Sequence, residues 1–453
     1  MDVVNPATGA RVETYDDHDE DDVEAALDRS EQAFKDWQTR PLREREQLLA
    51  NAAEVLRENK QEYAETMTRE MGKPISQAVG EVEKCAWVCE HYAEHASAYL
   101  EADHHPSPPG SEVKTEHEPL GTVLAVMPWN FPLWQVFRFA APYLTAGNVG
   151  ILKHASNVPG CALAIEEVFQ KAGYPDDVFQ SLLIPSDLVD NLLTDSRVRA
   201  ATLTGSGPAG RAVAANAGDQ LKKTVLELGG SDPFVVLDDA DLSAAAETGA
   251  WARNLNGGQS CIAAKRFIVH TDVYDEFLGS LTDEMDSLVV GDPANEETDI
   301  GPQAREDLME TLHEQVTASV EAGATLVTGG EPLDREGAFY PPTILTDPPE
   351  GCPVDTEETF GPVATVYEVD DEESAITKAN DTPFGLGASV WTQDRDRGER
   401  VASRIDAGCV YVNQLVKSDP RVPFGGVKDS GYGRELSEAG IKEFVNRKTV
   451  WIE

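Results

Sequence analysis

From residue 121 onward the chain repeats one pattern: a short run rich in β-branched and apolar residues, a glycine-containing turn, then a helical stretch. Such runs occupy 121–127, 149–153, 200–204 (with a helix from about Ala209), 224–226, 234–237, 267–270 and 324–327. Strands that alternate with helices join through crossovers, which predicts an α/β protein with largely parallel sheets buried on both faces. Residues 23–100 read differently. Apolar side chains recur there at three- and four-residue intervals (Ala26, Ala33, Trp37; Leu48, Leu49, Ala52, Leu56), the period of amphipathic helices. The prolines and glycine in 103–118 break that period and predict a turn leading into an exposed strand or hairpin. A chain of 453 residues is long enough for two or three packed units.

Charge narrows the partners. With 81 acidic and 37 basic side chains the formal net charge is −44, but 41% of residues are hydrophobic, enough to build a core. A chain this acidic lacks the basic footprint that nucleic-acid phosphates require. Its self-repulsion is screened by salt, so the composition points to the cytoplasm of a salt-accumulating organism. The start has no basic region before an apolar stretch, and no apolar run is long enough to span a bilayer. Six scattered cysteines (85, 89, 161, 261, 352, 409) do not form a disulfide framework, in keeping with a reducing compartment.

Four segments carry candidate chemistry. Thr204-Gly-Ser-Gly-Pro-Ala-Gly210 spells G-x-G-x-x-G between a strand and a helix, where backbone N–H groups can cradle a pyrophosphate; a ligand-free glycine turn is the alternative. Counting about 20 residues on for a ribose-binding acid lands on Glu227. Gly257-Gly-Gln-Ser-Cys261-Ile-Ala-Ala-Lys-Arg266 sets a cysteine between glycines and a cationic pair. Those surroundings predict an exposed thiol of lowered pKa, whereas a lone Cys elsewhere is usually a small buried hydrophobe. Glu227 itself ends an apolar run before paired glycines, which raises a carboxylate pKa toward that of a general base; capping a turn is the alternative. Asn130, in Met127-Pro-Trp-Asn-Phe-Pro132, is rigidly held and offers an amide donor to a developing oxyanion. His91 and His95 stand at i and i+4 with Cys85 and Cys89 upstream. The glutamate is misplaced for H-E-x-x-H, so no metal site is expected.

Taken in order, these motifs resemble the aldehyde dehydrogenase superfamily over essentially the whole chain. The resemblance runs from Asn5-Pro-Ala-Thr-Gly9 and Met71-Gly-Lys-Pro74 through Pro128-Trp-Asn-Phe-Pro132, Leu226-Glu-Leu-Gly-Gly230 and Gly258-Gln-Ser-Cys261. It continues through Glu357-Glu-Thr-Phe-Gly-Pro362 and Pro383-Phe-Gly-Leu386 to Pro423-Phe-Gly-Gly-Val-Lys428 and Gly431-Tyr-Gly-Arg-Glu435. It implies a Rossmann-like cofactor domain (1–100 and 120–229), a catalytic α/β domain (230–430) and a small β oligomerisation element (101–119 and 447–453), in a homodimer or homotetramer. It also implies that Cys261 attacks the aldehyde, that Asn130 stabilises the oxyanion with the Cys261 N–H, and that Glu227 activates the hydrolytic water, which removes it from the ribose. Cofactor contacts are implied for Trp129, Lys153, Ser156, Gly205, Ser206, Gly210, Leu228, Glu358 and Phe360.

Lys153-His-Ala-Ser156-Asn-Val resembles a subgroup of succinate-semialdehyde dehydrogenases. Many NAD-preferring members carry Glu where Ser156 stands, so NADP is accommodated here as readily as NAD. In that subgroup an Arg at the position of Arg138 binds the substrate's distal carboxylate, while a second Arg is replaced here by Leu255. The expected substrate wall is therefore Trp134 and Arg138 with Lys417, Ser418 or Arg421. An internal ion pair from Arg138 to a glutamate is the alternative. The rival activities are a broad-specificity aliphatic aldehyde dehydrogenase and a thiol hydrolase or esterase built on Cys261 and Glu227.

Overall fold

The computed structural model describes all 453 residues. Four helices, Glu20–Trp37, Leu42–Glu58, Lys60–Met71 and Ile75–Tyr99, fill the region of helical period. Asp19 starts the first with a capping box, its side chain on the Asp22 N–H and the Asp22 side chain on its own. Their apolar stripes pack with the helices Trp134–Thr145 and Pro159–Lys171 in a core of 53 buried residues.

That core covers one face of a six-stranded sheet. Its order is Gly431–Tyr432, Lys223–Glu227, Val198–Thr204, Thr122–Met127, Val149–His154, Phe179–Ser181, and every pairing except the first is parallel. A second cluster, including Leu27, Leu124, Ile151, Leu203 and Leu226, covers the other face. The chain starts this sheet in the middle, winds outward through 149–154 and 179–181, then crosses back to 198–204. The crevice between Thr122–Met127 and Val198–Thr204 is therefore a topological switch point, where open α/β sheets bind ligands at their carboxyl ends.

The second sheet has seven strands, ordered Thr325–Thr328, Thr343–Thr346, Val363–Val369, Ala264–His270, Asp232–Val236, Gly387–Trp391, Cys409–Val412. Only its first pair is antiparallel. Separate apolar clusters cover its two faces, one around Phe234, Phe267 and Trp391, the other around Val235, Ile268 and Val390. A third sheet pairs Val445–Ile452 with Glu112–Pro119 and that strand with Asp103–His105, all antiparallel. A two-stranded hairpin, Asp2–Val4 with Arg11–Thr14, was not anticipated by the sequence pattern.

Candidate active site

The carboxyl ends of the first sheet place the motifs around one crevice. Thr122–Met127 delivers Trp129 and Asn130, Val149–His154 delivers Lys153, Val198–Thr204 delivers Gly205 and Ser206, and Lys223–Glu227 ends on Glu227. Ser206 is the N-cap of the helix Gly207–Asp219, its hydroxyl accepting from the Ala209 N–H at 3.5 Å. Gly210 sits against Leu228; an added Cβ would stand 2.5 Å from a Leu228 methyl, so only glycine lets this helix lie so close to the strand end. Lys153 is buried, and its Nζ reaches only Ser186 Oγ at 3.4 Å. Burial lowers its pKa, and no carboxylate of the chain forms an ion pair with it. Ser156 is exposed beyond it. An uncompensated ammonium, an open serine and a capped helix start stand together at these strand ends, a donor set that suits a phosphorylated dinucleotide.

Cys261 stands three residues before the strand Ala264–His270, on a loop with left-handed backbone at Asn256, Gly257 and Gly258. A Cβ on Gly258 would fall 2.3 Å from the Gly361 carbonyl, so the loop needs glycine there. Lys265 Nζ donates to the Ser260 and Cys261 carbonyls at 2.9 and 2.8 Å and pairs with Glu358 at 3.2 Å. Arg253 donates to the carbonyls of Gly258, at 2.7 Å, and of Gly361. The Cys261 N–H has no backbone partner.

Asn130 is fixed from every side. Its carbonyl accepts from Lys73 Nζ at 2.9 Å and Asn256 Nδ2 at 2.7 Å, and its Oδ1 accepts from Gln135 at 3.1 Å. The Nδ2 group donates one hydrogen to the Gln259 carbonyl at 3.0 Å, leaving the other for a ligand. Sequence reasoning missed Lys73, Gln135, Asn256 and Gln259 as supports. Only Gln135 carried a signal, a polar residue inside an apolar stretch; Lys73, Asn256 and Gln259 sit in glycine-containing turns that read as exposed.

Glu227 is 1% exposed, and neither carboxylate oxygen has a hydrogen-bond partner. Burial, opposed by Arg138 and reinforced by Glu435, pushes its pKa up to about 8. Its side chain lies against Gly425, where an added Cβ would be 2.7 Å from Oε1.

Several expectations need correction. The Cys261 thiol pKa is raised to about 12, not lowered. Burial outweighs Lys265 and Arg138, and Lys265 is already engaged by two carbonyls and Glu358. Arg266, expected beside the reaction centre, donates to the carbonyls of Ser231, Lys378 and Ala379 and serves as an internal tie. Arg421 grips Asp419 at 2.6 and 2.9 Å and is absent from the cavity wall. Arg138 does line the cavity, but its guanidinium is ion-paired with buried Glu435, the alternative foreseen for it. Glu358 is turned onto the Gly230 N–H, at 3.1 Å, and Lys265. Phe360 meets Trp129 edge-on with ring centroids 5.7 Å apart. His91 shares a hydrogen bond of 3.1 Å with Tyr99.

A cavity of about 420 Å³ opens in front of Cys261. Phe131, Trp134, Trp251, Leu255, Ile262 and Phe424 supply apolar wall, while Lys84, Arg138, Lys417 and Ser418 supply polar groups. Lys84 was not foreseen. It lies on the helix Ile75–Tyr99, one turn from Glu81 and beside the buried stripe of Val82 and Cys85.

A doubly wound sheet that presents its strand ends to a loop-borne cysteine defines a two-sheet α/β enzyme of dinucleotide-dependent type. The chain belongs to the aldehyde dehydrogenase family, whose sequence model matches residues 1–450. It is 53% identical over 449 residues to a probable NADP+ succinate-semialdehyde dehydrogenase of Synechocystis, with 99% of each chain covered. It is 49% identical over 451 residues to the NADP+ succinate-semialdehyde dehydrogenase of Mycobacterium leprae, again with 99% of each covered. The crystal structure of succinic semialdehyde dehydrogenase from Streptococcus pyogenes, in complex with NADP+, superposes with a TM-score of 0.97 at 38% identity. That match covers 100% of this chain and 99% of the other.

Proposed function

We propose that this protein oxidises succinate semialdehyde to succinate, with NADP+ as its preferred cofactor and Cys261, Asn130 and Glu227 as its catalytic groups. The observation that carries the substrate assignment is the sign of the cavity. Lys84 and Lys417 face it without an ion pair, Arg138 faces it paired with Glu435, and its one lining acid, Glu81, is ion-paired with Lys73. An aldehyde bearing a carboxylate matches that wall. The relatives described above support the same substrate and cofactor.

The Cys261 thiol releases its proton to solvent as its sulfur bonds to the aldehyde carbon, and the carbonyl oxygen becomes an oxyanion. The free Asn130 Nδ2 hydrogen and the Cys261 N–H are the donors available to it. A bound nicotinamide supplies the two-electron hydride acceptor that turns the adduct into a thioester. Glu227 takes a proton from the water that attacks this thioester. The carbon–sulfur bond then breaks, releasing the acid and restoring the thiol. Aldehyde, NADP+ and water thus give acid, NADPH and a proton.

A panel of aldehydes with each cofactor tests this reading. A charge-assisted contact of about 2 kcal/mol to the carboxylate predicts roughly thirtyfold higher kcat/KM for succinate semialdehyde than for propanal. Cys261→Ala should abolish reduced-nicotinamide fluorescence. Equal rates on the two aldehydes would instead favour a broad-specificity aliphatic enzyme, the reading that the Arg138–Glu435 pair and the apolar wall support. Hydrolysis with no NADPH formed would favour the thiol esterase.

We infer further that the unit boundaries given from the sequence describe two working domains. The terminal sheet is read as the oligomerisation element, because Trp451 and Ile452 on its edge strand are 56% and 49% exposed. The charge of −44 supports adaptation to a salt-rich cytoplasm, so activity and Tm should both rise with KCl concentration. Full activity in dilute buffer would refute that adaptation.

A further inference from the structure

Two loops meet behind the reaction centre: residues 257–261, which end on the cysteine, and residues 357–361, which carry Glu358 and Phe360. They are pressed together at Gly258 and Gly361. A Cβ on Gly258 would collide with the Gly361 carbonyl on one side and stand 2.7 Å from Arg253 Nη2 on the other. A Cβ on Gly361 would fall 2.2 Å from a Leu312 methyl, so packing backs the second loop as well. Two cations cross this seam. Lys265 joins the Ser260 and Cys261 carbonyls to the Glu358 carboxylate. Arg253, near the end of the helix Leu242–Asn254, joins the Gly258 carbonyl to the Gly361 carbonyl through the single nitrogen Nη2.

The two bridges answer differently to a cofactor. Glu358 is a residue whose cofactor contact the family resemblance implies, and its side chain is 22% exposed. A cofactor hydroxyl bonded to that carboxylate competes with Lys265. Arg253 instead holds main chain on both sides, so its bridge is independent of what Glu358 does. That bridge is costly. Arg253 is fully buried, joins no ion pair, and its Nε and Nη1 atoms have no hydrogen-bond partner. A hydrocarbon of the same length would avoid the desolvation of an uncompensated guanidinium, so stability alone does not account for an arginine here. The spacing of the two loops does.

We propose that Arg253 is a positioning residue that sets the gap between the cysteine loop and the Phe360 loop, the gap that the nicotinamide ring must fit. This rests on the reading of the protein as an NADP+-dependent dehydrogenase with its nicotinamide beside Phe360. Phe360 directly precedes Gly361, and Trp129 packs edge-on against its ring, so displacement of the Gly361 carbonyl moves an aromatic wall of that gap. The groups that do the thiol chemistry are anchored without Arg253. Gln303 Nε2 donates to the Gly257 carbonyl at 3.1 Å, Gln259 Oε1 accepts from the Ala304 N–H at 2.8 Å, and Asn130 reaches the loop through the Gln259 carbonyl. Cutting the Arg253 bridge therefore leaves thiol attack and hydrolysis in place. The step exposed to it is the one in which the C–H electron pair of the thiol adduct passes to the nicotinamide and the thioester C=O forms, because that transfer depends on alignment across the gap.

The test sets a reaction that needs the gap against one that does not. Hydrolysis of p-nitrophenyl acetate by Cys261, measured without cofactor, should stay within about threefold of wild type in Arg253→Met. The rate of NADPH formation in a single turnover with succinate semialdehyde should fall about thirtyfold. NADPH bound to Arg253→Met should also lose the fluorescence enhancement that it shows on the wild-type enzyme, a sign of a loosened ring. Arg253→Lys should recover most of the single-turnover rate, because one nitrogen makes both contacts and an ammonium can replace it. Arg253→Gln carries the same comparison where circular dichroism shows that the methionine variant does not fold. Equal losses of ester hydrolysis and single-turnover rate in a folded variant would reduce Arg253 to a support of the cysteine loop and overturn the inference. So would a single-turnover rate within about twofold of wild type in both Arg253→Met and Arg253→Gln. A wild-type enzyme that forms no NADPH from any aldehyde would overturn the dehydrogenase reading and this inference together.

Discussion

The loop that carries Cys261 and the crevice that faces the cofactor are built on opposite terms. Around the cysteine the cations and the oxyanion-side amide are anchored by the chain itself: Lys265 on two carbonyls and Glu358, Arg253 on two more, Asn130 through both its backbone and its amide. At the cofactor end Lys153 has one long contact to a serine, and Ser156 faces solvent. The first region fixes a reacting atom, so its geometry is secured before any ligand arrives. The second region waits for charge from outside, so its stability is completed by binding.

Substitutions that exchange these properties should therefore fail in different ways. The largest effect is expected from Lys265→Met, which strips donors from two carbonyls beside the cysteine and leaves Glu358 unpaired. Stability should drop by roughly 3 kcal/mol and kcat by about a hundredfold, read by thermal melts and steady-state rates. Lys153→Met should act in the opposite sense on the fold. Tm without cofactor should hold or rise, because an uncompensated ammonium is removed, while KM for NADP+ climbs about tenfold. A fall in Tm as large as that of Lys265→Met would erase the distinction between the two regions. The smallest effect is expected from Ser156→Glu, which places an acid near the ribose phosphate. It should turn cofactor preference from NADP+ toward NAD+ by a factor of about ten with little change in Tm.

The same contrast explains what could be read from the chain. Strand runs and glycine turns obey local rules, so the parallel sheets and the motif-bearing strand ends were legible in advance. The strand Ala264–His270 was read as starting at 267 because Lys265 and Arg266 look like loop residues. Both are buried; Lys265 is held by the Ser260 and Cys261 carbonyls and by Glu358, and Arg266 by the carbonyls of Ser231, Lys378 and Ala379 on other elements. Cys261 was misjudged because its glycine-rich surroundings read as exposed, whereas burial raises the thiol pKa by more than Lys265 and Arg138 lower it. Pairs such as Arg138 with Glu435, or Lys84 with Ser418, join separate elements, and no local pattern announces them. Gly431–Tyr432 escaped notice because two residues carry no period at all.

That short strand has a consequence for how the molecule assembles. Gly431 pairs with Glu227, the Ser430 carbonyl accepts from the Leu228 N–H at 3.0 Å, and Glu435 supplies the counter-charge of Arg138. A little further on, the Phe444 carbonyl accepts from Asn148, 296 residues away. The first sheet is thus local in sequence except for its final edge, and Glu227 lies at that edge. During synthesis the nucleotide-type half can collapse early, but Arg138 and Glu227 remain without their neighbours until residues beyond 430 have emerged and returned across the whole chain. Competence for chemistry is the last property this polypeptide acquires, and an interrupted translation product would hold a folded sheet with an unfinished centre.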